Sequence, residues 1–363
     1  MNPAIDFRNP ANRVFFVAVR VNGSSIRNYM ILHGARRPLT RNLQTLFMSR
    51  GYLQSMDATS ISSALKRDGT ARPTIVSRPF EGVKEPLSNR HWVRSDPYAT
   101  AFFNALSAVF PHGETFMIRC IKPWSERVPA SLGREVRAFI EQEAGHAREH
   151  VGMNRALIEA GYDVAPLDQK IRGFVKRFEN ASDMVKLTAT MCIEHFTAIV
   201  AAEILRDKQH LDGTDGELRE LWLWHAVEEV EHKGVAFDVW KFASKDWHPA
   251  RAWAWRTSFM LLISLSFFIN RTLGQIELLR QDGVGFSRAL RGVMRSGFGK
   301  GGIGRNVLKP WSAFFRPGFH PWDKDDRLLL AEGEAMLATM AAERAGFGKL
   351  VASPADLPLV RAA

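Results

Sequence analysis

The chain has 363 residues, 46% of them apolar, a formal net charge of +11 and two cysteines, Cys120 and Cys192. That apolar content supports a sizeable core and excludes global disorder. Two cysteines exclude a disulfide framework and a cysteine-built zinc site and point to a reducing, cytoplasmic compartment. The positive charge calls for an anionic partner, and its placement narrows the choice.

Residues 1–56 carry eight arginines and a single acid, Asp6. Val14–Val21 has the composition of a short strand interrupted by Arg20, and no apolar signal segment is present. Residues 1–90 read as a poorly ordered basic extension, with Met56 as a second candidate start. No nucleic-acid-binding motif accompanies the basic stretches, so nucleic acid is not an expected partner.

Helical periodicity begins near Asp96 and predicts helices over 97–120, 130–160, 181–208 and 215–244. Gly161 stops the second, Ser182 caps the third, and Asp212-Gly213 turns the chain before the fourth. The expected fold class is all-α: a four-helix bundle over 91–249 with extra C-terminal helices over 250–363. In that last region, about 250–279 forms a fifth helix containing the apolar run Ser258–Ile269, flanked by tryptophans and arginines. Twelve residues are short of a bilayer span. The run is either a buried core helix or an interfacial one. Ser296–Arg305 is glycine-rich and basic but lacks the Ser or Thr of a phosphate-binding loop, and reads as a flexible loop. Asp325–Ala345 is a final amphipathic helix. Gly283–Trp322 holds seven basic residues and no acid, so an anionic membrane surface is a candidate partner and a peripheral site on the inner membrane a candidate location.

Two Glu-x-x-His motifs stand out, Glu143–His146 and Glu229–His232. Residues three apart on a helix share a face, so one carboxylate and one imidazole reach the same ion. Glu114 precedes the first motif by 29 residues and Glu194 the second by 35, the separation of facing residues on antiparallel helices joined by a short loop. Glu114, Glu143, His146, Glu194, Glu229 and His232 are therefore the candidate catalytic and metal-ligating set. His225, four residues before Glu229, is a further candidate ligand. His150 and Glu228 are placed to orient ligands, with ligation as the alternative for His150, and His195 points off the face. Ala198 and Ala201 leave space beside the metals. Four carboxylates and neutral imidazoles suit two metal ions, iron foremost, with manganese or zinc as alternatives.

The runs around Glu114, Phe139–Asn154 and Trp224–Asp238 resemble the bacterial family of predicted metal-dependent hydrolases over about residues 95–320. The ligand order is also similar to that of ferritin-like di-iron oxygenases, and His225-x-x-x-Glu229-x-x-His232 resembles the three-histidine arylamine N-oxygenases. That last likeness stops at the motif, so their substrate is not carried over. The resemblance implies a ferritin-like dinuclear enzyme. An oxygen-dependent oxidase or oxygenase acting on a small or lipid-like apolar substrate, served by an electron-donor protein, is the leading expectation. A hydrolase using metal-activated water is the alternative, and a non-catalytic metal-storage or membrane-associated protein comes third.

Overall fold

Asp96 opens the main helical part of the chain. Its side chain accepts hydrogen bonds from the amides of Tyr98 and Ala99, and Pro97 occupies the first helical position, where a missing N–H costs nothing. The helix that follows, α1 (Pro97–Ser107), is separate from α2 (Phe110–Ile121), where the periodicity predicts one helix over 97–120. The cause is Pro111, which has no N–H to give the Ser107 carbonyl. That carbonyl instead accepts from Asn154 Nδ2 at 3.0 Å.

The computed structural model describes residues 72–344, except 81, 84, 85, 88 and 215, together with strands β1 (Val14–Val21) and β2 (Ser25–Leu32). The chain divides into units of residues 1–53 and 54–363. In the first, β1 and β2 pair antiparallel from Val14↔Leu32 to Val21↔Ser25, so Arg20 does not interrupt the strand. The rest of the predicted basic extension before residue 72 lies outside the described residues.

The second unit is all-α among its described residues. After α2 come α3 (Ala130–Glu159), α4 (Ala165–Lys176), α5 (Asp183–Arg206), α6 (Gly216–His232), α7 (Val235–Ala243), α8 (Pro249–Gln281), α9 (Phe286–Phe298), α10 (Ile303–Asn306), α11 (Leu308–Ala313) and α12 (Arg327–Arg344). Gly161 ends α3 as predicted. With φ at +85° it lets its own amide reach the Ile158 carbonyl at 2.9 Å and that of Tyr162 reach Leu157 at 3.0 Å. Ser182 caps α5 by accepting from Val185 N at 3.4 Å. The helix predicted over 215–244 is divided at Gly234, where Trp322 packs so close that a Cβ would meet it at 2.9 Å. No helix is predicted between 160 and 181, yet α4 lies there. The predicted flexible glycine loop is largely ordered as the end of α9, a turn and α10.

Helix α2 lies along α3 and α5 along α6, and the pairs meet through α2–α5 and α3–α6. Phe116, Met117, Phe139, Leu187 and Met191 belong to one apolar core, and Phe103, Met153, Leu205, Trp222 and Trp224 to a second. Helix α8 packs on α1 and α5, so the expected boundary at 249/250 is not a division between compact units.

Residues 72–80 depart from the expected poorly ordered extension. They have no regular secondary structure, yet Val76 N donates to Glu231 Oε2 at 3.0 Å and Arg78 N to Glu228 Oε1 at 2.7 Å. The Arg78 guanidinium pairs with Glu231 at 2.9 Å and with Glu334. This strap escapes sequence reading because its order comes from polar partners on distant helices and leaves no periodic pattern.

Candidate metal centre

Helix spacing places Glu114 on α2, Glu143 and His146 on α3, Glu194 on α5, and His225, Glu229 and His232 on α6. The fold turns all seven inward, each 3% exposed or less. Their ligand atoms form overlapping groups, each with all its atoms within 4.8 Å of one another. One group comprises Glu143, Glu194, Glu229 and His232. The others include Glu114, Glu143 and His146, and His146, His225 and Glu229. Glu143 and Glu229 are the residues that join the four-residue group to these two, while a further group, Glu114, His150 and His225, shares no residue with it.

Nine atoms at this point are buried without a hydrogen-bond partner among the described residues. They are both carboxylate oxygens of Glu114, Glu143 and Glu194, Glu229 Oε2, His146 Nδ1 and His232 Nε2. A buried polar atom left unmade costs about 1–3 kcal/mol, and more when charged. Nine together in a folded interior call for cations, and oxygen and imidazole donors suit divalent metals.

The surrounding hydrogen bonds fix each imidazole. His146 Nε2 meets Glu228 Oε2 at 3.1 Å, which turns Nδ1 toward Glu229 Oε1 at 3.5 Å. His232 Nδ1 meets Gln142 Oε1 at 2.8 Å, and its Nε2 lies 3.3 Å from both Glu143 and Glu194. Gln142 is held by donating to Glu231 Oε2 at 2.7 Å and to the Val76 carbonyl at 3.1 Å. His225 Nδ1 lies 2.8 Å from His150 Nε2, His150 Nδ1 lies 2.9 Å from Ser107 Oγ, and Ser107 donates to Asn154 at 2.8 Å. With metal bound, a donor order running outward along this line would leave a lone pair on His225 Nε2, the atom that otherwise hydrogen-bonds Glu229 at 3.0 Å.

Glu228 and His150 thus sit where ligand orientation needs them. His195 lies elsewhere, against Phe314 and Phe319. Gln142, Ser107 and Asn154 were not legible in the sequence, since amides and hydroxyls carry no spacing signature. Substituting Glu228→Gln is expected to weaken metal binding by about 10–100-fold, because one amide oxygen cannot serve both His146 and the Arg78 amide. Competition with a metallochromic chelator measures this, and wild-type affinity would refute it.

The protonation pattern answers to the same crowding. Burial, followed by repulsion from neighbouring carboxylates, holds Glu114 and Glu143 well above the usual carboxylate range. Burial would also raise Glu229, but contacts with His146, His225 and His232 hold it well below that range. Burial pulls His225 down to about 4. It would pull His146 down too, but Glu228 and Glu229 raise that ring from an ordinary 6.5 to about 10. Without metal, protons hold the carboxylates together, and metal binding must release them.

The sign follows for stability. A histidine raised in the folded state contributes fully below 6.5, and that contribution is lost as pH climbs through about 10. Glu114 and Glu143, also raised, act in the same direction. Chelator-treated protein is therefore expected to lose thermal stability from pH 6.5 to 10, and metal-loaded protein to lose less. A flat or rising melting temperature of the metal-free chain over that window would contradict this.

One cavity adjoins the centre, and a second adjoins the first. A narrow one of about 20 Å³ is lined by His225, Glu229, Phe110, Trp222, Thr197 and Ala201, among others. Ala201 thus leaves space here, as its small side chain suggested. A larger cavity of about 270 Å³ shares Leu106, Phe196, Val200 and Phe267 with the first. The Phe196 and Phe267 rings, stacked at 5.0 Å, stand between the two.

Comparison with known proteins gives one family. Residues 82–325 match the family described as predicted metal-dependent hydrolase. No curated protein and no solved structure matches the chain significantly. The match covers well over half of the sequence and includes every residue of the buried cluster, so the chain belongs to the predicted metal-dependent hydrolase family.

Proposed function

We propose that this chain is a two-metal hydrolase that cleaves an ester or amide carrying a long apolar group. The observation that carries the reading is the convergence of nine unpartnered buried donor atoms beside an apolar cavity. Glu143 and Glu229 would be shared between two ions, with Glu114, His146 and His225 available to one and Glu194 and His232 to the other. Bound metals would supply an activated water and a Lewis acid for the scissile carbonyl. The protein's part is to keep His146, His225 and His232 in the ligating tautomer, to exclude bulk water, and to seat the apolar group between Phe196, Phe267 and Val200.

A second reading, oxygen-dependent oxidation at a di-iron form of the centre with an electron-donor protein, is favoured by one observation. The narrow cavity offers a substrate little polar contact beyond Thr197 and the ligands themselves. The two are separated by loading the metal-free protein with zinc, manganese or ferrous iron. Acyl ester cleavage is followed in all three forms, and oxygen consumption in the ferrous form. Ester turnover with zinc or manganese supports hydrolysis. Oxygen uptake with iron and no ester turnover with any metal replaces it with the second reading.

A further inference from the structure

Helix α8 presents two unlike faces. Its inner face is pinned along its length: Arg256 donates to the Phe314 carbonyl, Ser264 accepts from Trp311 Nε1 at 2.9 Å, and Arg271 donates to the Phe102 carbonyl. Its outer face carries Leu261, Leu262, Leu265, Phe268, Ile269 and Leu273, all 40–64% exposed. These positions recur at the helical period and form one continuous stripe. Among the described residues, α8 is one of two helices long and apolar enough to cross a membrane; the other, α5, is 78% buried over its apolar window, against 22% for α8. Pinned to the body at three levels, α8 cannot leave it to span a bilayer, but it can lay its outer face on one.

Helix α9 extends the stripe. Phe286, Leu290, Met294 and Phe298 follow every fourth residue and are 36–51% exposed, and the Phe298 ring meets Phe268 of α8 edge-on at 5.9 Å. Gly292, on the opposite side, lets α9 approach α1: a Cβ there would sit 1.9 Å from the Tyr98 ring. Arg288, Arg291 and Arg295 flank the apolar residues, and Lys300, Arg305 and Lys309 follow, all exposed and without an ion pair among the described residues. Glu277 and Asp282 are the only acids from Trp247 to Trp322. Asp282 is already held by Arg90, His91 and Tyr162.

The larger cavity opens against this surface. Phe268, Met294, Phe298 and Leu308 belong both to the exposed apolar patch and to the cavity lining. We infer that the α8–α9 face docks on an anionic lipid bilayer and that the cavity takes its substrate from the acyl-chain layer. An apolar stripe bordered by uncompensated cations matches the depth profile of an anionic leaflet, in which acyl chains lie beneath phosphates. A second copy of this chain would instead bring two basic rims together, an arrangement that like-charge repulsion opposes. Docking does not depend on the reaction proposed above; only the entry of substrate from lipid does.

The test is flotation of the full-length, metal-loaded chain with phosphatidylcholine vesicles, with and without phosphatidylglycerol, at low and high salt. Wild type is expected to float with the anionic vesicles and to be partly released by salt. Arg291→Glu/Arg295→Glu is expected to weaken binding by about tenfold or more, and Leu262→Glu/Leu265→Glu to abolish it. Circular dichroism and metal content should remain at wild-type values in both, since neither pair touches the cavity lining. If wild type fails to float, the inference is overturned. It is overturned equally if the apolar pair splits a dimer in light scattering while vesicles are ignored, since the face would then belong to a second copy. With docking established, both variants should lose turnover of a vesicle-embedded ester but keep that of a detergent-dispersed one. Flotation with no turnover of either would leave docking standing and remove the proposed reaction.

Discussion

Glu143→Ala and Glu229→Ala are each expected to lower bound metal from about two ions per chain to one or fewer, and to reduce turnover by about 100-fold or more. Each of these carboxylates belongs to the four-residue ligand group and to a second group, so under the two-metal proposal removing either weakens both sites. Glu194, which belongs to one group only, should yield a milder loss when replaced. Metal-free Glu143→Ala should be no less stable than metal-free wild type, whereas metal-free Glu229→Ala should be less stable, because Glu229 is the carboxylate that His146, His225 and His232 contact. Glu143→Ala removes a desolvated carboxyl group crowded by Glu194 and Glu229, and that relief offsets the lost packing. Plasma emission spectrometry of the purified variants, with thermal unfolding after chelation, reads both quantities. A full metal complement in Glu143→Ala would remove that residue from the bridging role, and unfolding of the metal-free variant would make it a structural residue.

Val200→Trp is expected to lower turnover of long-chain substrates by more than about tenfold while leaving metal content unchanged. Val200 lines both cavities, and an indole there fills the passage beside Phe196 and Phe267. Overpacking costs about 1–3 kcal/mol, which a structure of this size tolerates. The converse change, Phe196→Ala, removes one ring of the stack between the cavities and should admit bulkier apolar groups. Steady-state kinetics over a series of acyl chain lengths distinguishes the two. Wild-type turnover by Val200→Trp at every length would show that substrate reaches the metals another way.

The residues legible in the sequence are those whose chemistry is tied to helix geometry. Glu114, Glu143, His146, Glu194, Glu229 and His232 declare themselves through three-residue spacing and hairpin separations, and His225 through its place one turn before Glu229. Gly161 and Ser182 mark helix ends because a left-handed cap and a hydroxyl cap need those residue types. What stayed hidden depends on pairing across long sequence distances. Pro111 falls inside the single helix predicted over 97–120, where a proline interrupts the hydrogen-bond ladder, but only the Asn154 side chain, 47 residues from Ser107, shows how the broken turn is satisfied. Gln142 is an ordinary surface residue by type and becomes the partner of His232 only when α3 meets α6. The apolar run at Ser258–Ile269 left two readings open, buried or interfacial, because composition does not tell which side of a helix another element will cover.

The strap of residues 72–80 has a practical consequence for any attempt to trim the protein. The family match starts at residue 82 and ends at 325, whereas Val76 and Arg78 lie before it and Glu334 after it. A fragment cut to those limits would retain every candidate metal ligand, yet Glu228 and Glu231 would lose their cationic neighbour and two amide donors. Gln142 would lose its bond to the Val76 carbonyl, and the carboxylates on which it and His146 lean would be held less firmly. Such a fragment would resemble the whole enzyme in sequence comparisons while holding its ions in a slackened cage.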